Sequence, residues 1–117
     1  MDLDKAIDAH AQWKTKFRAA ITGKQVMDAA TISKDNCCDL GKWLHGEGKT
    51  KCGSLPSHAD CVRKHAAFHV EAGKVASAIN AKNYSQAESM LDNGASYASA
   101  SSAVGVAIMQ LKKAAAL

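Results

Sequence analysis

Residues 56–80, PSHADCVRKHAAFHVEAGKVASAIN, decide the fold. Val62, His65, Phe68 with His69, Ala72, Val75 or Ala76, and Ile79 recur every three or four positions, the spacing of one helix face and not the alternation of a strand. Pro56 suits the first helical position, where a missing N–H has no intrahelical partner to lose. One long helix is therefore expected over 56–80.

The same periodicity runs outward in both directions. Toward the N-terminus, Leu3, Ile7, His10, Trp13 or Lys14, Phe17, and Ala20 with Ile21 form a stripe over about 3–22, with Gly23 as a stop. A weaker helix is expected over about 25–32 around Val26 and Met27. Asp35 is placed to cap a short helix whose apolar face is Cys38, Leu40 with Gly41, and Trp43 with Leu44, and Gly46 and Gly48 should break it. Gly46 to Leu55 reads as a loop. Beyond a turn at Ala81–Asn83, Ser85-Gln86-Ala87-Glu88 has the form of a capping box. One long helix is expected to follow it through Met90, Leu91, Ala98, Val104, Ile108 and Leu111. Abundant alanine, a single proline and few β-branched residues make strands poor candidates. The expected fold is all-α: an antiparallel four-helix-type bundle with a short additional helix carrying Cys38.

A chain of 117 residues suits one domain over 1–117, its core at about 3–111, with enough length to bury a core without disulfides. The net charge of +4 comes from lysines scattered among acids, which argues against nucleic-acid binding. No apolar run is long enough for a membrane span, and no basic-then-apolar leader opens the chain. The uncharged stretch Asn93–Leu111 still holds Ser96, Ser99, Ser101, Ser102 and Gln110. The expectation is a cytoplasmic domain making no membrane contact itself.

Five histidines and four cysteines are more soft donors than a plain bundle needs. His65 and His69 stand one turn apart, about 6 Å along the axis, and can share one ion. His10 in the stripe of the first helix is, taken alone, a core histidine bonded to a carbonyl, and Cys38 alone is a small hydrophobe. Together, one cysteine and three histidines from three helices would complete a tetrahedral Zn2+ shell. Cys61, one turn before His65, is close enough to compete as a ligand. Cys37 should point about 100° away from Cys38 on a helix, Cys52 falls in the predicted loop, and His45 and His58 should be solvated beside it. A secreted disulfide scaffold fits poorly with long amphipathic helices and so many histidines. Haem-attachment, phosphate-cradle and His-Glu-x-x-His patterns are missing, which leaves a metal hydrolase as the enzymatic alternative. It would need an open metal position and a carboxylate base, and Glu71 points away from His69; the expectation is that the chain is not an enzyme.

At these residues the chain resembles the chemoreceptor zinc-binding (CZB) family. His10-Ala-Gln-Trp13 followed by Phe17 is similar to its H-x-x-W-x-x-x-F opening, Cys38-Asp-Leu40-Gly41-Lys-Trp43-Leu44 to C-x-L-G-x-W-L, and His65-Ala-Ala-Phe68-His69 to H-x-x-F-H. Gly46-Glu-Gly48-Lys49 and Pro56 also fall where members carry similar residues, so the likeness extends over about 3–111. It implies zinc ligands His10, Cys38, His65 and His69, packed about by Trp13, Phe17, Leu40, Trp43 and Phe68, with Gly41 letting the short helix sit close to its neighbour. The extra thiols, notably Cys37 beside the ligand, depart from the family pattern.

The resemblance further implies a sensory domain of a bacterial signalling protein, a chemoreceptor before a diguanylate cyclase, with an attached signalling domain as partner. Its stimulus would be zinc or an oxidant such as hypochlorous acid, met by a redox-reactive, zinc-bound Cys38. A homodimer through the Ala/Ser-rich last helix is expected. The competing reading is a zinc-stapled structural or dimerisation module, since a metal joining three helices stabilises the folded state whether or not anything is sensed.

Overall fold

The computed structural model describes residues 1–117 as seven helices without strands: α1 (Leu3–Gly23), α2 (Ala29–Ile32), α3 (Asp39–His45), α4 (Glu47–Cys52), α5 (Pro56–Asn80), α6 (Tyr84–Met90) and α7 (Ser96–Ala114). The all-α bundle and the short helix beside Cys38 are as the periodicity implies. The Asp2 side chain caps α1 by accepting from the N–H groups of Asp4 and Lys5, and Pro56 opens α5. The stop after α1 falls on Lys24, in the left-handed region at φ 52°, and not on Gly23.

Two side-chain links fix the direction of the long helices. His10 of α1 lies against His65 of α5, and Met27, just beyond α1, exchanges two hydrogen bonds with the Asn80 amide at the end of α5. α1 and α5 therefore run the same way, and residues 24–55 form the crossover between them, carrying α2, α3 and α4. α7 runs back along both: Lys112 reaches Asp4 at 2.7 Å, and Tyr97 meets Phe17 edge-on. Phe17, Leu44, Phe68, Ile79, Leu91, Ile108 and Leu111 are almost wholly inaccessible. Each such side chain contributes about 1.5–3 kcal/mol of burial, so the core lies where the three long helices meet.

Several expectations are corrected. The helix expected over 25–32 is a single turn, Ala29–Ile32, capped by Asp28; Gln25 and Val26 lie exposed outside it. Gly46 to Leu55 is not all loop, because it contains α4. Gly48 is small rather than helix-breaking here: a Cβ on it would lie 2.7 Å from the Trp43 ring. Its bare backbone lets α4 fold onto Trp43, with Cys52 buried one turn later and Glu47 paired to Lys51. The long C-terminal helix is two, α6 and α7, separated by Asp92-Asn93-Gly94 with Gly94 at φ 91°. Ser85 lies inside α6, so the proposed capping box does not begin a helix. Finally, His58 is buried, not solvated, and its Nε2 donates to the Leu44 carbonyl at 2.9 Å, tying α5 to the end of α3.

Candidate metal centre

His10, Cys38, His65 and His69 converge. Their four donor atoms, three Nε2 and one Sγ, all lie within 4.8 Å of one another. Cys38 Sγ is 3.9 Å from His10, 3.3 Å from His65 and 3.6 Å from His69, and His65 Nε2 is 3.0 Å from both other imidazoles. A tetrahedral ion at ordinary Zn–N and Zn–S lengths has donor edges of about 3.3 Å between nitrogens and about 3.6 Å from nitrogen to sulfur. Five of the six donor edges lie within about 0.3 Å of these lengths, and the sixth, from His10 to His69, is bounded by 4.8 Å, so the group suits a small metal ion once those two rings draw together. It includes no carboxylate.

Three elements supply the donors. His10 lies on the buried face of α1, and His65 and His69 one turn apart on that of α5. Cys38 sits in extended backbone at φ −85°, ψ 163°, as the N-cap of α3, where its Sγ accepts from the Gly41 N–H at 3.4 Å. The cap is therefore Cys38 and not Asp35, which instead pairs with the exposed His45 at 2.9 Å, closing the segment that carries the cysteine. Gly41 is required for this approach: a Cβ there would fall 1.7 Å from the Asp35 carbonyl oxygen.

The hydrogen-bond pattern shows what the group lacks. A carbonyl can only accept, so His10 Nδ1, 2.7 Å from Ala6 O, and His69 Nδ1, 2.8 Å from Ile32 O, both carry the proton. Their Nε2 lone pairs then point into the centre beside the cysteine sulfur. His65 Nε2 has at most one proton to offer them. Several converging lone pairs in a buried site call for a cation.

Protonation supplies that charge poorly. Burial is the main cause that lowers the pKa of His10, His65 and His69, taking His65 to about 3, so all three rings are neutral at pH 7 and free to bind metal. Burial likewise raises the Cys38 thiol, outweighing the lowering effect of the Gly41 N–H. Without a cation, Cys38 stays a thiol.

The histidines are buried, but Cys38 is only half-buried. It and His10 border a cleft of about 640 Å³ between α1 and the start of α3, walled by Ala6, Ala9, Trp13 and Leu40 with Lys5 and Lys16 at the rim. Cys37 is exposed and borders a different cleft, with Asp35, Asn36 and Val70. Cys61 is fully buried, its thiol raised by burial to about 12, and it stands outside the donor group. Cys52, the last residue of α4, is buried. The carbonyls of Ala6 and Ile32, which orient two imidazoles, are parts the side-chain pattern could not announce.

A protein-family model for the chemoreceptor zinc-binding domain matches residues 10–76, a span that takes in all four donors. The chain belongs to the CZB domain family. No curated protein and no solved structure gives a significant match. No helix is long and apolar enough to cross a membrane.

Proposed function

We propose that this chain is a cytoplasmic sensory domain of a bacterial signalling protein, a chemoreceptor in the first instance, in which His10, Cys38, His65 and His69 hold Zn2+ and Cys38 is the group an oxidant attacks. The observation that carries the reading is that Cys38 is the one half-buried donor among four, bordering an open cleft beside His10 while His65 and His69 do not line it. Bound Zn2+ would keep Cys38 as thiolate, the form that reacts with electrophiles. With hypochlorous acid, a sulfur lone pair forms the S–O bond, the O–Cl bond breaks, and Cys38–S⁻ plus HOCl become Cys38–SOH plus chloride.

The same sulfur caps α3. Oxidation therefore weakens the acceptor for the Gly41 N–H together with the donor at the centre. α3 has only seven residues, too few to hold a helix by itself. Its N-terminal end is then the element that moves, while His58 still holds its far end through the Leu44 carbonyl. An attached signalling domain would read that movement, in a receptor or in a diguanylate cyclase. A homodimer through α7 belongs to this proposal: Val106 and Met109 are exposed on that helix, and sedimentation of the wild type against Val106→Glu tests it.

The burial of three donors and the origin of the four in three separate segments favour a second reading, a structural staple. Zinc content and release measured on wild type and Cys38→Ser, before and after a stoichiometric pulse of hypochlorous acid, separate the two. The sensory reading expects about one Zn2+ per chain, released with a change in helicity only when Cys38 is present. Retention and helicity indifferent to the oxidant would leave the staple.

A further inference from the structure

An oxidised Cys38 finds no ready partner among the other thiols of the chain. Cys37 is its sequence neighbour, with a Cα only about 3.8 Å away, short of the span a disulfide ordinarily bridges, and it borders a different cleft. Cys52 and Cys61 are buried and stand outside the donor group. Burial also holds the Cys61 thiol at about 12, so at neutral pH it supplies no attacking thiolate. A thiol that meets the oxidised sulfur has to come from outside.

The way in is the cleft between α1 and the start of α3. Its volume of about 640 Å³ is of the size that holds a small organic molecule, and Cys38 and His10 both border it. Its rim carries charges of both signs: Lys5 and Lys16 on α1, Asp2 just before α1, and Asp39 at the start of α3. All four side chains are exposed, and Lys5, Lys16 and Asp39 belong to none of the ion pairs of the chain. Asp2 uses one carboxylate oxygen to cap α1. Lys16 Nζ lies 4.6 Å from the centre of the Trp13 ring, which keeps that cation at the cleft wall. Free cations and anions around apolar walls suit a guest that itself carries carboxylates and an ammonium group.

We propose that this cleft admits a small zwitterionic peptide thiol, which forms a mixed disulfide with oxidised Cys38 and so resets the centre. The inference rests on the oxidant chemistry proposed above. The incoming thiolate attacks the Cys38 sulfur, the S–S bond forms and the S–O bond breaks, and the departing hydroxide takes up the proton of the thiol. Cys38–SOH plus RSH thus give Cys38–S–S–R plus water. A second thiolate attacks the outer sulfur and expels Cys38 as thiolate, so two thiols become one disulfide and their two electrons restore the ligand. Lys5 and Lys16 meet the carboxylates of the guest, and Asp2 and Asp39 its ammonium group.

Glutathione is the probe. Zinc-loaded protein is pulsed with stoichiometric hypochlorous acid, then mixed with glutathione or with uncharged mercaptoethanol, and the products are followed by intact-mass and peptide mass spectrometry. Glutathione should end on Cys38. In Lys5→Glu/Lys16→Glu, whose exposed positions spare the core, its reaction should slow at least about 10-fold, while mercaptoethanol keeps its wild-type rate. Helicity and zinc content check the variant; should it misfold, added salt replaces it on the wild type, slowing glutathione alone by screening. Equal slowing with both thiols, slowing with neither, or an adduct on Cys37 alone would overturn the proposal. So would a disulfide or a cyclic sulfenamide formed within the chain ahead of glutathione. Dimedone, which traps sulfenic acids, separates this idea from the one beneath it. A Cys38 sulfenic acid captured by dimedone but not by glutathione overturns only the role of the cleft, whereas none captured overturns the oxidant chemistry as well.

Discussion

Adding one methyl group at position 41 should disable the centre and leave the bundle standing. A Cβ on Gly41 would lie 1.7 Å from the Asp35 carbonyl oxygen, 2.8 Å from its carbon and 3.2 Å from Asn36 Cα, all of them backbone atoms. Ordinary contact begins near 3.4 Å, so about 1.7 Å must open between α3 and the Asp35 turn. The Gly41 N–H bonds Cys38 Sγ, so the ligand belongs to the turn that must shift. Metal–ligand distances tolerate about 0.2 Å; a displacement several times larger removes the sulfur from the shell. Gly41→Ala should lower zinc affinity by at least about 100-fold and destabilise the metal-free protein by about 1–3 kcal/mol through overpacking. The control is Gly105→Ala on α7, where a Cβ meets nothing within 4 Å. That substitution should stabilise by about 0.5–1 kcal/mol. Chelator competition and thermal melts with and without zinc read both. Wild-type zinc affinity and melting temperature in Gly41→Ala would refute the reasoning.

Acid should destabilise the metal-free bundle. The folded-state pKa values of His10, His65 and His69 lie below the ordinary 6.5, His65 at about 3, so below 6.5 the unfolded chain binds protons that the folded one refuses. Stability is then lost as pH falls from 6.5, at up to about 1.4 kcal/mol per pH unit for each histidine, and a urea midpoint unchanged on acidification to about pH 4.5 would contradict this. His58→Phe leaves the Leu44 carbonyl without its buried donor and should lower stability by about 1–3 kcal/mol in denaturant titrations; an unchanged midpoint would show that bond to be idle. Cys37→Ser should leave zinc retention and the oxidant response unaltered. Adjacent Cα atoms are about 3.8 Å apart, short of the span a disulfide ordinarily bridges, so a Cys37–Cys38 disulfide found by mass spectrometry would refute this.

The long helices were legible because burial on one face writes a 3.6-residue period, and Leu3 to Ile21 and Val62 to Ile79 follow it with few exceptions. Three of the four donors were legible for the same reason: His10, His65 and His69 occupy positions of the buried stripe, whereas Cys38 caps α3 from extended backbone and follows no helical period. Segments where glycine has two meanings were not. Gly48 reads as a breaker but serves as a seat for Trp43, and that choice depends on an aromatic ring five residues back whose position no local pattern gives. Asp92-Asn93-Gly94 is a plain turn signal that the apolar spacing of Leu91, Ala98 and Val104 overrode. His58 looked solvated from its place beside the loop, because its acceptor, the Leu44 carbonyl, is brought near only by the folding of α3 and α4. The Ala6 and Ile32 carbonyls are backbone groups, and every residue has one.

The crossover between the parallel helices α1 and α5 bears on the life of the chain as well as its shape. Cys38 stands 28 residues from His10 and 27 from His65, so a shared metal would tie the middle of that crossover to both of its flanking helices, as a removable cross-link. Closing such loops carries an entropy penalty that grows only slowly with length. The tie can form only after the ribosome has released the chain through His69, making metal capture a late event in assembly. With the tie undone, the turn over residues 35–38 would lose its link to both flanking helices and open to a protease more readily than before. The occupancy of one small centre would then help to set how long each molecule survives in the cell.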